Sequence, residues 1–94
     1  MKRLEWRAVA LNDRSAIIEH IADDNPRAAI ELDDDFTLKA ELARASPMLY
    51  RAGRAKGTRE IVVRPHYIMV YRVTSQLVEI LRVLHTARRW PAKR

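Results

Sequence analysis

Three runs in the back half of the chain, "REIVVR" (59–64), "YIMVYRV" (67–73) and "LVEILRVLH" (77–85), are separated only by "PH" and "TSQ". Gaps this short hold hairpin turns and nothing larger, so the runs predict an antiparallel meander. Pro65 suits the first turn, where its missing N–H costs no ladder bond. Alternating Leu4 and Trp6 within residues 2–8 supply a short first strand, which makes four strands in all. Side chains alternate along a strand, so Leu81, Val83 and His85 are expected on one face, and Ile80, Arg82 and Leu84 on the other. Both faces then carry aliphatic groups and need covering.

The front half supplies one cover. From about Leu11 to Asp24 the apolar residues Ile17, Ile18, Ile21 and Ala22 recur at helical spacing. Asn25-Pro26 then reads as an N-cap followed by a first-turn proline. The second helix runs to about Ala45, with Ala29, Leu32, Phe36, Ala40 and Ala43 along one stripe, until Ser46-Pro47 stops it. Asp33, Asp34 and Asp35 splay around that helix with no histidine to complete a metal shell, and a solvated face is expected. Residues 46–58 contain both glycines, Arg51, Arg54, Lys56 and no acid, which marks a loop. The sum is an α+β domain spanning 1–94, with two N-terminal helices packed on a four-stranded, mostly antiparallel sheet. The uncovered face would expose aliphatic surface unless the tail or a partner shields it.

Charge divides the chain more sharply than its net +6 suggests. Residues 1–41 hold six Lys/Arg against ten Asp/Glu, or −4, whereas residues 42–94 hold twelve against two, or +10. A back half this basic attracts polyanions, nucleic acid first. No cysteine occurs, which excludes disulfides, thiolate metal sites and cysteine nucleophiles, and fits a reducing cytoplasm. No apolar run approaches membrane-spanning length, and charges interrupt the start where a signal peptide would need its apolar segment.

The familiar hydrolase, nucleotide and zinc-protease motifs are absent. What remains is a set of cations with one imidazole. His85 can exchange a proton near neutral pH, and it can equally serve as a strand-end donor to a carbonyl. His20 and His66 are weaker versions of the same candidate. Arg82, set between apolar neighbours, can grip phosphate, pair with Glu60 or cap the sheet edge. Tyr50, Tyr67 and Trp90 could stack on an unpaired base.

The runs "GTREIVVRPHYIMVYRV" and "VEILRVLHTARRWP" resemble the RelE/ParE superfamily, the toxins of bacterial type II toxin–antitoxin pairs, and most closely its RelE/StbE branch. The resemblance covers the whole chain and implies the RelE/ParE toxin fold, a cytoplasmic protein and an antitoxin that wraps it in a hetero-oligomer. It further implies a ribosome-dependent mRNA endoribonuclease, an mRNA interferase that needs neither metal nor cofactor. In such an enzyme a ribose 2′-hydroxyl attacks the adjacent phosphate. Carried over by position, Arg64, His85 and Lys56 would be catalytic, His85 as general acid and Arg64 at the developing charge. Arg54, Arg59, Arg82, Arg88 and Arg89 would hold RNA. The tyrosine that closes the site in well-known nuclease members has no counterpart after Trp90, and no acid in the 44–59 loop supplies a base. The alternative that the resemblance implies is a ParE-like inhibitor of DNA gyrase with no nuclease site.

Overall fold

The computed structural model describes residues 2–87. The elements in order are β1 (Arg3–Trp6), α1 (Ala8–Asp24), α2 (Pro26–Ala45), β2 (Arg51–Ala52), β3 (Arg59–Arg64), β4 (Tyr67–Val73) and β5 (Leu77–His85). The two helices pack on one sheet of order β1-β5-β4-β3-β2. The expected α+β architecture is present with one more strand than predicted. That strand is β2, two residues from the basic loop that pair antiparallel to Glu60 and Arg59 of β3. Two residues carry no readable alternation, which is why sequence pattern alone gives a loop there.

Strand β1 pairs parallel to β5, from Arg3 opposite Leu77 to Trp6 opposite Ile80. The Arg7 N–H then donates to the Ile80 carbonyl, and α1 starts at the next residue, three earlier than its apolar spacing suggests. Asn25 joins the helices. Its N–H closes α1 on the Ile21 carbonyl, and its side-chain Oδ1 accepts from the Ala28 N–H to open α2. The predicted α2 stripe of Ala29, Leu32, Phe36, Ala40 and Ala43 is the buried face of that helix.

Two bulges reset the strand faces. Val62 pairs with Ile68 and Arg64 with Tyr67, leaving Val63 as an extra residue in β3. Val70 pairs with Arg82 and Tyr71 with Ile80, leaving Leu81 extra in β5. Val83 and Ile80 therefore both lie in the core beneath the helices, with Ile61, Val63, Met69 and Tyr71. Leu81 and Leu84 join Ile68 and Val70 in a second cluster on the reverse face. Strict alternation is thus corrected in β5: Leu81 parts from Val83, and Ile80 parts from Leu84. The reverse face is also less open than expected, because all four members of its cluster are buried and only Val62 is left largely exposed.

A polar clamp ties the helices to each other. Arg14 donates to Asp33 Oδ1 at 2.7 Å, to the Asp33 carbonyl at 2.9 Å and to Thr37 Oγ1 at 2.7 Å. Its guanidinium sits 4.9 Å from the Trp6 ring centroid and 5.7 Å from that of Phe36. Among the described residues, no helix is long and apolar enough to cross a membrane.

Candidate functional site

The bulge at Val63 decides where Arg64 points. Without the extra residue Arg64 would share the reverse face with Val62. With it, Arg64 turns to the helix side and donates to Asp35 Oδ2 of α2 at 2.5 Å. Arg64 pairs across the ladder with Tyr67, and Tyr67 with His85, so the three form one row at the hairpin end of β3, β4 and β5. Tyr67 meets Phe36 edge-on at 6.3 Å and His85 edge-on at 5.4 Å. His66, in the turn, stacks on His85 with centroids 5.6 Å apart and rings 11° from parallel. The Ala87 N–H donates to His85 Nδ1 at 3.1 Å, so a neutral ring carries its proton on Nε2. The Thr86 N–H donates to the His66 carbonyl and fixes the chain beyond the strand.

Arg82 lies beyond the end of β1, where β5 has a strand neighbour on one side only. It reaches α1 and donates to both oxygens of Asp13, at 2.7 and 3.0 Å. The same Asp13 carboxylate accepts the Val83 N–H at 3.0 Å, doing for the strand edge what a paired carbonyl would do. These bonds push the Arg82 pKa further up, so the group stays charged. The expected Glu60 partner is therefore corrected to Asp13. Glu60 is buried on the reverse face, where it accepts from Arg51 at 3.1 Å and from the Arg54 backbone N–H at 3.0 Å, with the Arg54 guanidinium 3.6 Å away.

The remaining predicted site residues lie elsewhere. Arg59 donates to the Tyr50 carbonyl at 2.7 Å and the Met48 carbonyl at 3.4 Å, bracketing the segment that follows α2. Lys56 is exposed in the loop before β3. The six residues of β3 run from that loop to Arg64, about 17 Å from first to last at the usual rise. The structure therefore brings Arg64 and His85 into one row with Tyr67, with His66 stacked on His85, and it keeps Lys56, Arg54 and Arg59 at the opposite end of β3. Arg88 and Arg89 lie outside the described residues.

Asp13 and Asp35 are the residues that sequence reasoning passed over as partners for these arginines, and Glu60, expected to pair with Arg82, holds Arg51 and Arg54 instead. The three-aspartate run is not simply solvated: Asp33 holds Arg14, Asp35 holds Arg64, and Asp34 alone of the three is exposed. The available signal was the opposite charge of the two halves, which folding lays against each other. Among the described residues, no three His, Asp or Glu side chains gather as a metal site.

Comparison with known proteins groups this small sheet, with its helical hairpin on one face, with the toxins of one toxin–antitoxin family. Residues 4–90 match the family model for the ParE toxin of the type II toxin–antitoxin system parDE. The chain belongs to that family. It is 36% identical over 91 residues to putative toxin Y4kP of Sinorhizobium fredii, covering 96% of this chain and 94% of the relative. It is 34% identical over 88 residues to toxin RelE2 of Caulobacter vibrioides, covering 94% and 99%. The solved chromosomal ParDE toxin–antitoxin system of P. aeruginosa contains a chain that superposes with a TM-score of 0.80 at 20% identity, covering 90% of this chain and 96% of that one. The fold is therefore the RelE/ParE toxin fold.

Proposed function

We propose that this toxin arrests growth by binding a target protein rather than by cutting RNA. The target implied by the resemblance to gyrase-poisoning members of the superfamily is DNA gyrase, in the cytoplasm, with a cognate antitoxin that neutralises the toxin. The observation that carries this reading is the engagement of Arg54, Arg64 and Arg82 by Glu60, Asp35 and Asp13. Cleavage by a 2′-hydroxyl needs a base, an acid and uncompensated positive charge within reach of one phosphodiester. A guanidinium already neutralised by a carboxylate offers a phosphate little charge, and Lys56 stands at the far end of the strand from His85.

A second reading, the ribosome-dependent mRNA endoribonuclease, is favoured by one specific observation. Arg64, Tyr67 and His85 share a row, and His66 stacks on His85, so two imidazoles and a guanidinium lie at one end of the sheet. In that reading Arg64, His85 and Lys56 are catalytic, His85 as acid and Arg64 at the developing charge, and Arg54, Arg59, Arg82, Arg88 and Arg89 hold RNA.

One preparation tests both. The purified chain is added to gyrase with plasmid DNA, and separately to a cell-free translation mixture whose RNA ends are mapped. Gyrase-linked DNA breaks with intact messenger are expected. Cleavage of messenger within codons, with gyrase unaffected, would replace the binding reading with the nuclease.

A further inference from the structure

The end of the sheet opposite His85 has a different electrostatic character. Two adjoining clefts lie there, of about 480 and 440 Å³, and Ser75 lines both. Arg59, Thr58 and Thr74 line the first, and Lys2 and Arg3 the second. Neither lining set includes a carboxylate. The two clefts on the helix side do include them, Asp33 and Glu19 in one and Asp13 in the other.

The cations here are also held differently from Arg64 and Arg82. Lys2 donates to the carbonyls of Thr74 and Ser75 at 2.8 and 3.1 Å, and Arg59 donates to those of Tyr50 and Met48. Carbonyls fix these groups in place and leave their charge uncompensated. Lys56 is exposed and precedes Gly57, which lines the first cleft, and among the described residues no carboxylate pairs with it. Arg3 meets Glu5 only at 3.7 Å, with both side chains largely exposed.

We infer that this end of the sheet, running from Lys56 and Arg59 across the Thr74–Gln76 turn to Lys2 and Arg3, is a binding groove for the phosphate backbone of a nucleic acid. Strand β1 lies three positions from β3 in the sheet order, which sets the two cation groups about 14 Å apart. One carboxylate or one phosphate cannot serve both groups. A backbone with phosphates repeated along its length can. The lining residues include no aromatic side chain on which a base could stack, so recognition is of charge, independent of sequence and steep in salt. The inference goes beyond both target readings: it uses neither Arg64 nor His85, and to Lys56 and Arg59, which the nuclease reading also employs, it adds Lys2, Arg3 and the Thr74–Gln76 turn.

The test titrates the purified full chain against a fluorescent random-sequence duplex at salt concentrations from about 50 to 200 mM. Lys2→Ala and Lys56→Ala are each expected to lower the slope of log affinity against log salt by about one, and the double variant by about two. Lys2→Arg and Lys56→Arg, which keep the charge, restore it, and that separates loss of a phosphate contact from loss of fold. Arg27→Ala and Lys39→Ala on α2 leave the slope unchanged. An unchanged slope in the double alanine variant, or an equal loss in the α2 variants, would overturn the assignment. So would displacement of the duplex by polyglutamate at matched charge, because it would give the groove to an acidic peptide.

Discussion

At the scale of single residues, the side chains that matter most to the architecture are polar groups bound to definite partners. Tyr71 is fully buried, and its hydroxyl donates to the Pro47 carbonyl at 2.6 Å. Burial pushes its pKa up to about 12, against an ordinary phenol value of 10.0. The folded pKa lies above the unfolded one, so this contribution to stability is complete below pH 10 and is lost as pH rises toward 12. Tyr71→Phe should cost about 1–2 kcal/mol at neutral pH by orphaning the Pro47 carbonyl. It should also flatten the loss of stability between pH 10 and 12, as read by urea unfolding across that range. Asp13 offers a second test. Asp13→Ala leaves the Val83 N–H without its acceptor and should destabilise by about 2–3 kcal/mol. A double-mutant cycle with Arg82→Ala should show a coupling of about 1 kcal/mol or more, and additive losses would deny the pair a structural role.

At the scale of elements, legibility followed periodicity. The helices and the three long strands carry enough repeats to be read directly, and the α2 stripe is buried as its spacing predicts, whereas strict alternation fails in β5. The bulges do not show in the pattern, because one inserted residue leaves both flanking runs looking regular. That single residue decides that Arg64 faces Asp35, and that Val83 lies beneath the helices. The His85 end of the candidate site was therefore legible as a list of residue types and not as a geometry. The 53–58 loop depends on close approach: the Gly53 N–H donates to the Thr58 carbonyl, and Gly57 has φ +78°. A Cβ on Gly53 would lie 2.1 Å from Thr58 Oγ1 and 3.1 Å from the Thr58 carbonyl carbon. Gly53→Ala should cost about 1–3 kcal/mol in unfolding free energy, because the β2–β3 ladder must shift to admit the methyl group.

For the whole molecule, the imbalance between an acidic front and a basic back is partly cancelled by folding. Asp13 and Asp35 come from the helical hairpin, Arg82 and Arg64 from the sheet, and the ion pairs join the layers on the side where a nuclease would need bare cations. At the other end of the sheet Lys2 and Arg59 are held by carbonyls instead of carboxylates, with Lys56 nearby. In this account His85 is an exposed ring that contacts Tyr67 and His66, and it transfers no proton. The most direct measurement is growth arrest on expressing His85→Asn, which keeps a side-chain acceptor for the Ala87 N–H and cannot exchange a proton near neutral pH. Arrest comparable to the unmodified chain is predicted. A folded His85→Asn protein that no longer arrests growth would contradict the account and make the imidazole catalytic.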